Sequence, residues 1–237
     1  HKVWIGDGLG SFRLAQQFPV PDEARRGQTA GISDFNGDGR PDMVLAGSSR
    51  HVLHLGRGDG TFRTTPSVPL SDVSCCVAVG NLDANAALDL VVARSGAVDI
   101  LWGDGIGGFA LQSGAADSVP SAVSAVTVAD LNGDGRDDVL LASGTTLHVL
   151  LSDAGLRLDA TYDVGNQIVK MALVDVDRDR NLDVVLATDG ALKILHGDGR
   201  GHLRHGSTLP GLMGVKEVAV GHVNADPWPD LVLMNGS

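Results

Sequence analysis

Five short segments of the chain carry oxygen-bearing side chains at every second position, a spacing that suits a hard cation. The most regular copies are residues 34–42, DFNGDGRPD, and residues 130–138, DLNGDGRDD. Calcium takes six to eight oxygen ligands. Acids or amides at positions one, three, five and nine of a loop, with a backbone carbonyl at position seven, can supply them. These segments therefore predict calcium sites.

The five segments, called loops one to five, differ in how complete their ligand sets are. They span residues 34–42, 81–89, 130–138, 175–183 and 222–230. The predicted ligands of loop one are Asp34, Asn36, Asp38, the Arg40 carbonyl and Asp42, and those of loop two are Asn81, Asp83, Asn85 and Asp89. Those of loop three are Asp130, Asn132, Asp134, the Arg136 carbonyl and Asp138, and those of loop four are Asp175, Asp177, Asp179, the Asn181 carbonyl and Asp183.

Occupancy should follow these ligand sets. We expect calcium in loops one, three and four, because carboxylates held close together repel one another without a cation. Loop two has fewer charges and Ala86 at the turn, so we expect it to be partly filled. Loop five begins with His222 and has Pro227 at position six, so we expect it to be empty. The alternative for each loop is a hydrogen-bonded turn of Asp and Asn residues without an ion.

The composition narrows the class of protein. Of the 29 acidic residues only Glu23 and Glu217 are Glu, and the chain has 32 Gly, which favours strands joined by tight turns. A net charge of −11 argues against nucleic-acid binding. The sequence contains no run of about 18 apolar residues, so we expect no membrane insertion.

The loops recur at a fixed period that indicates repeated sheets. Their starts are 47, 49, 45 and 47 residues apart, and each loop precedes an apolar run such as MVLA or LVVA. A second apolar segment follows, and then a glycine ladder such as Gly103-Gly105-Gly107-Phe109. About four strands in ~47 residues is the size of a propeller blade. The sequence therefore predicts one all-β domain over residues 1–237, a five-bladed β-propeller of four-stranded antiparallel blades.

The two ends of the chain contain complementary parts of one repeat. Fourteen residues separate the last Asp of loops one to four from the first ladder position, and joining the ends gives thirteen between Asp230 and Gly6. We therefore expect the N-terminal segment to complete the last blade and close the ring, which would leave only short edges. The alternative is an open array, or five repeats of a larger propeller.

These motifs resemble a known family. The pattern DxNGDGxxD before an apolar strand is similar to the FG-GAP/VCBS repeat of integrin α-subunit propellers and of many secreted bacterial proteins. The resemblance implies calcium loops that join the first two strands of each blade on the lower face. It also implies a secreted or cell-surface setting, and carbohydrate binding is frequent in the family.

A ligand site is expected on the upper rim, where loops of variable length enter the inner strands. The candidate residues are Arg26, Gln28, Lys170, Lys216 and Glu217, with Trp228 of loop five as a stacking candidate. The expected ligand is a carbohydrate or a protein, and the alternative is a solvated surface. Trp4 and Trp102 are expected to pack within the fold.

No catalytic residue is nominated, because the sequence has neither a Ser-His-Asp order nor a GxSxG elbow. The prediction is a non-enzymatic binding or scaffold module. The alternatives are a glycan-active hydrolase or lyase on a propeller scaffold, and a passive spacer of a larger secreted protein. Cys75 and Cys76 are adjacent, which leaves a vicinal disulfide or two free thiols open.

Overall fold

The computed structural model describes most of the chain as antiparallel strands. The described residues are 2–18, 30–46, 50–65, 68–69, 74–83, 85–94, 96–116, 119, 122–153, 155–212 and 214–235. Within these ranges every regular element is a β-strand. Runs of Val, Leu and Ile bounded by Gly, Asp and Asn turns form such hairpins, because branched side chains suit a pleated surface and Gly and Asp suit the connections.

The strands group into six sheets. The N-terminal hairpin contains β1 (Lys2–Gly6) and β2 (Phe12–Gln17). Blade one contains β3 (Ala30–Ser33), β4 (Asp42–Ala46), β5 (Arg50–Gly56), β6 (Phe62–Thr64) and β7 (Val68–Pro69), and both β6 and β7 pair with β5. Blade two contains β8 (Ser74–Gly80), β9 (Asp89–Arg94), β10 (Ala97–Gly103) and β11 (Phe109–Ala116).

The remaining sheets repeat this order. Blade three contains β12 (Val123–Ala129), β13 (Asp138–Ser143), β14 (Thr146–Leu151) and β15 (Arg157–Asp163). Blade four contains β16 (Ile168–Val174), β17 (Asp183–Thr188), β18 (Ala191–Gly197) and β19 (Leu203–Pro210). The C-terminal sheet contains β20 (Val215–Gly221) and β21 (Asp230–Asn235). Loops one to five each join the first two strands of their sheet, as the resemblance implies.

The hydrophobic core lies between consecutive sheets. In β13, Val139 and Leu141 pack into the core shared with blade two, while Leu140 and Ala142 pack into the core shared with blade four. All four side chains are fully buried. Successive residues of a strand point to opposite faces, and β13 is covered on both. This explains why the second strand of each repeat is a continuous apolar run rather than an alternating pattern.

The all-β class is confirmed, three of the six sheets are four-stranded and antiparallel as predicted, and the fold is propeller-like. In the described part of the chain β1 pairs with β2 and β21 pairs with β20, and no pairing joins these two sheets. The closed five-bladed ring therefore stays a prediction. No helix in the described ranges could span a membrane.

The cysteines lie on β8, the inner strand of blade two. Cys76 is partly buried and packs against the core between blades two and three. The side chain of Cys75 lies outside the described residues.

Candidate metal loops and an inter-blade cleft

Loops one and three have almost the same internal hydrogen bonding. In loop one, Asp34 accepts the backbone N–H of Gly39 at 2.8 Å, and Asp38 accepts that of Arg40 at 2.9 Å. In loop three, Asp130 accepts the N–H of Gly135 at 2.9 Å, and Asp134 accepts that of Arg136 at 2.9 Å. These bonds wrap the backbone around the side chains at positions one, three and five. The N–H of Gly39 is the main cause of the lowered pKa of Asp34, which therefore stays ionised.

The amides at position three add a neutral oxygen. Asn36 accepts the N–H of Asp38 at 3.0 Å, and its own amide lies 3.3 Å from the Asp38 carboxylate. Asn132 makes the same pair of contacts with Asp134, at 2.9 and 3.4 Å. The predicted ligands at positions one, three and five thus lie together in both loops.

Loop four reaches the same arrangement with more charge. The carboxylates of Asp175, Asp177 and Asp179 place oxygens within 4.8 Å of one another. Arg178 and Arg180 have φ of 62° and 73°, in the left-handed region where loop one has glycines. An L residue pays for this conformation in strain, so the loop is held by its side-chain bonds, including the Arg180 N–H to Asp175 at 2.9 Å.

In loops two and five, groups at predicted ligand positions make contacts with other residues of the same loop. In loop two, the Asn81 amide donates to the Asn85 carbonyl, and the Asn85 amide donates to Asp83 at 2.7 Å. In loop five, Nδ1 of His222 lies 2.9 Å from the carbonyl oxygen of Trp228 at position seven. The imidazole ring of His222 therefore lies against the carbonyl oxygen that would otherwise face a cation.

In loops one to four, the aspartate at position nine connects the loop to the glycine ladder of its own blade. One oxygen accepts the N–H of loop position two and the other accepts the N–H of the first ladder residue. The four acceptors, each with its two backbone N–H donors in brackets, are Asp42 (Phe35 at 2.9 Å, Gly56 at 2.7 Å), Asp89 (Leu82 and Gly103, both 2.9 Å), Asp138 (Leu131 at 3.1 Å, Ser152 at 3.0 Å) and Asp183 (Val176 and Gly197, both 2.9 Å). All four are fully buried, and burial raises the pKa of Asp138 to about 6.

A carboxylate oxygen that accepts one N–H keeps a second lone pair, so these bonds leave a metal contact open at Asp42, Asp89 and Asp183. In Asp138 the Ser152 hydroxyl lies 3.5 Å from Oδ1, and Oδ2 keeps the open position. The close approach between loop and ladder also explains why the first ladder residue is a glycine in blades one, two and four. A Cβ on Gly56, Gly103 or Gly197 would overlap the carbonyl oxygen just before the aspartate.

The N-terminal hairpin contacts blade one as blade three contacts blade four. Gln16 of β2 accepts the N–H of Phe62 at 2.6 Å, and Tyr162 of β15 accepts the N–H of Leu203 at 2.8 Å. Gln16 and Tyr162 occupy the same place in their repeats, four residues after the last ladder positions, Phe12 and Leu158. The hairpin therefore occupies the place of the outer half of a preceding blade.

The candidate rim residues are only partly brought together. Lys170 on β16 and Glu217 on β20 form an ion pair at 3.3 Å. The side chain of Lys216 lies outside the described residues, as do Arg26 and Gln28. Trp228 is half exposed and lies in loop five, beyond the other end of β20, with the Arg178 guanidinium 5.4 Å from its ring centre.

A cleft between blades two and three brings together residues that the sequence did not group. It has a volume of about 140 Å³ and is lined by Leu82, Asp83, Ile100, Trp102, Arg136, Ser152, Gly155 and Leu156. The Arg136 guanidinium donates to the carbonyls of Ser152, at 3.2 Å, and Asp153. Its Nε is buried and has no hydrogen-bond partner among the described residues.

Trp102 both packs and lines this cleft. It lies against the core between blades two and three, as expected, and its indole N–H donates to Gln112 at 2.8 Å. The signal in the sequence was its position directly before the ladder, where Leu55 and Leu151 stand in the neighbouring blades.

Comparison with known proteins agrees with the repeat pattern. Residues 34–92 and 81–141 match the model of the FG-GAP-like repeat. These matches to the FG-GAP-like repeat confirm the resemblance carried by loops one and three. No curated protein matches the chain in sequence.

Solved structures share the fold at low identity. A lectin of Agrocybe aegerita that recognises non-reducing terminal N-acetylglucosamine is 16% identical, with a TM-score of 0.70 over 98% of this chain and 68% of the lectin chain. BBS1N, solved in complex with ARL6DN, is 14% identical, with a TM-score of 0.64 over 94% of this chain and 67% of that chain. The V. cholerae biofilm matrix protein Bap1 is 18% identical, with a TM-score of 0.54 over 89% of this chain and 35% of that chain. At these identities the likeness shows the fold alone.

Proposed function

We propose that this chain is a non-enzymatic, calcium-stabilised binding module that works outside the cell and recognises carbohydrate in the cleft between blades two and three. The observation that carries the proposal is the buried Nε of Arg136, an unpartnered donor beside an indole and a carboxylate. A buried donor without a partner costs roughly 1–3 kcal/mol, which a ligand oxygen would recover. The lectin with a similar fold supports the same ligand class.

The cleft offers the three kinds of contact that a sugar needs. The Trp102 indole is a flat apolar surface for the C–H face of a pyranose ring. The Arg136 guanidinium donates hydrogen bonds and the Asp83 carboxylate accepts them, so a pair of neighbouring hydroxyls can bond to both. This site lies beside loops two and three, on the opposite side of the blades from the rim that the sequence favoured.

Titration with N-acetylglucosamine and a glycan array test this site. We expect binding by the parent chain, loss of binding in Trp102→Ala, and at least about tenfold weaker binding in Arg136→Lys, which removes one hydrogen bond to a charged group. Trp228→Ala and Arg157→Met are the matched controls, because neither side chain lines the cleft, and both should bind as the parent does. Loss of binding in Trp228→Ala alone would place the site at loop five. Turnover of a polysaccharide that is lost in Trp102→Ala would replace the proposal with an enzyme.

Calcium in loops one, three and four is the second element of the proposal. Positions one, three and five of these loops hold carboxylate and amide oxygens close together, and position seven contributes a backbone carbonyl, so the donor set consists of hard oxygens. Modules with weak calcium sites, with Kd of about 10⁻⁴–10⁻³ M, suit calcium-rich extracellular surroundings. A chelator should lower the melting temperature, and readdition of calcium should restore it.

Closure of the ring by the N-terminal hairpin is the third element. The Oδ1 atom of Asp230 lacks the ladder N–H that Asp42 and Asp183 receive, and accepts only the Asn224 amide at 3.4 Å among the described residues. Gly6 stands at the matching ladder position, and a Cβ there would meet only the Phe12 ring. We propose that the Gly6 N–H supplies the missing bond and that β1 pairs with β21 in a fifth blade. If β1 pairs with β21 in the register in which β18 pairs with β17, Val3 lies opposite Val232, as Ile194 lies opposite Val185. A cysteine pair at Val3 and Val232 that cross-links within one molecule would support this closure, and cross-links found only between molecules would contradict it.

A further inference from the structure

One histidine points a nitrogen at two carboxylates beside loop four. His196 is the residue before the first ladder position of blade four, and its Nδ1 lies 3.3 Å from Oδ2 of Asp177 and 3.5 Å from Oδ1 of Asp183. The three side chains place their ligand atoms within 4.8 Å of one another. The Nδ1 atom is buried and makes no hydrogen bond within the described part of the chain.

This group shares Asp177 and Asp183 with the predicted calcium ligands of loop four and adds a nitrogen ligand from His196. Asp177 faces His196 with Oδ2, while its Oδ1 accepts the N–H of Asp179 at 3.2 Å within the loop. Calcium takes oxygen ligands, whereas imidazole nitrogen suits zinc, copper, nickel and iron. The donor set at His196 therefore selects a different ion from the donor set of the loop.

We propose that His196, Asp177 and Asp183 form a site for a divalent transition-metal ion, with zinc as the reference ion and water as a further ligand. Ligand atoms at about 2.0–2.2 Å from a tetrahedral ion lie about 3.3–3.5 Å from each other. The two measured separations fall in this interval. The buried Asp183 stays fixed by the N–H groups of Val176 and Gly197, so it is already oriented for a metal contact.

A neighbouring strand makes room for the imidazole. A Cβ on Gly206 of β19 would overlap Cδ2 and Nε2 of His196, so only glycine at this position lets the ring lie with Nδ1 toward loop four. The position equivalent to His196 holds Ile5, Leu55, Trp102 and Leu151 in the other repeats, and the position equivalent to Gly206 holds Ala15, Thr65, Gln112 and Thr161. Histidine and glycine occur together in blade four alone.

Calorimetric titration with zinc, of a chain that is free of transition metals and saturated with calcium, tests the site. We expect binding of about one equivalent at this site, and an affinity reduced at least about tenfold in His196→Gln, since loss of even an outer-shell partner costs 10–100-fold. With cobalt as the probe, the visible absorption bands of a low-symmetry site should appear in the parent and disappear in His196→Gln. Gly206→Ala keeps all three ligands and should weaken zinc binding by displacing the ring.

His202→Gln is the matched control. His202 also lies near carboxylates, with Nδ1 3.4 Å from Asp198, but it is 61% exposed. Zinc binding that is equal in His196→Gln and the parent, or that is lost equally in His202→Gln, would overturn the proposal and leave His196 as an ion-pair partner of the two aspartates.

Asp179→Asn separates this inference from calcium in loop four. It removes an oxygen of the loop cluster and none of the three proposed zinc ligands. We expect it to weaken calcium binding and to leave zinc binding within about twofold of the parent. Loss of zinc binding in Asp179→Asn, with the fold intact, would show that the loop cluster holds the zinc and would overturn the assignment to His196.

Discussion

The third and fifth repeats differ in what surrounds the aspartate at position nine. Asp138 is fully buried and accepts two backbone N–H groups, one from its loop at 3.1 Å and one from Ser152 of the ladder at 3.0 Å. Asp230 accepts the loop N–H of Val223 at 2.8 Å and no ladder N–H among the described residues. The ladder is therefore a structural part of the loop, because it supplies the second half of the carboxylate's hydrogen bonding.

The comparison indicates how a loop becomes a stable metal site. In loop three the two backbone N–H groups fix the aspartate at position nine, and the side chains at positions one, three and five accept backbone N–H groups of the loop. In loop five Asp230 accepts only the loop N–H among the described residues, and Nδ1 of His222 lies at the carbonyl oxygen of position seven. Loop geometry thus depends on residues 14 positions further along a repeat as well as on the loop's own sequence.

Removal of the N-terminal hairpin is expected to give the largest effect. Without residues 1–17, Phe62 loses the partner that Gln16 provides, and the edge of blade one that faces the hairpin is uncovered. We expect a melting temperature lower by about 10 °C or more, or association through the open edge, measured by calorimetry and light scattering. Leu9→Ala, at a side chain that is 90% exposed, is the control and should change neither. A monomeric truncation with the parent's melting temperature would contradict closure.

The first glycine of the ladder sharpens the comparison. In Gly197→Ala the new methyl group would overlap the carbonyl of Leu182, so we expect a loss of about 1–3 kcal/mol in the free energy of unfolding. Gly6→Ala should cost a similar amount if Gly6 sits against the carbonyl of Pro229 in a closed ring. Chemical denaturation measures both variants, and a silent Gly6→Ala beside a destabilised Gly197→Ala would mean that the hairpin does not complete the fifth repeat.

Calcium should separate loop three from loop five. Asp130→Ala removes the carboxylate around which loop three is wrapped, so the stabilisation from that site, about 2.7 kcal/mol at a hundredfold excess of calcium over Kd, should be lost. Asp226→Ala, at position five of loop five, should retain the full calcium-dependent increase. Thermal unfolding with and without calcium measures the difference, and an equal calcium response in the two variants would refute the assignment.

The pH dependence of stability should show the smallest effect. His54 is buried against Phe18, with Nδ1 3.0 Å from the Thr64 hydroxyl, and burial lowers its pKa. The folded chain keeps this imidazole neutral, while the unfolded chain binds a proton near pH 6.5, so stability is lost as the pH falls below 6.5. The slope due to His54 is at most about 1.4 kcal/mol per pH unit. Denaturation from pH 7.5 to 5 should give a shallower slope in His54→Gln, and an unchanged slope would show that other groups set it.

Local patterns in the sequence were sufficient to predict the repeats. The Asp-rich loops, the apolar second strands and the ladder each act within one hairpin, so their spacing predicts strand order and loop positions. The continuous apolar character of residues such as Val139 to Ala142 also follows from a strand covered on both faces. These features depend on backbone geometry that neighbouring residues determine.

Contacts between repeats were beyond such patterns. The cleft joins Trp102 to Arg136, and the zinc site joins His196 to Asp177, in each case across a turn or a blade boundary. Nothing in the spacing of these residues marks them as neighbours. The sequence did contain one usable signal, which is that both Trp102 and His196 stand directly before the ladder, where other repeats have an aliphatic side chain.

The amino-acid sequence by itself determined the period of the repeat, the all-β class, the likeness to the FG-GAP repeat and the order of the predicted ligands in each loop. Those depend on short-range hydrogen bonding and on which side chains suit a pleated strand. Only the tertiary structure decided that the aspartate at position nine is directed inward to the ladder. It also decided that Gln16 accepts a backbone N–H of blade one as Tyr162 accepts one of blade four, and that Nδ1 of His196 lies beside loop four. The physical reason is that these arrangements arise where separate strands pack face to face, and the angle and distance between packed sheets are set by the whole core.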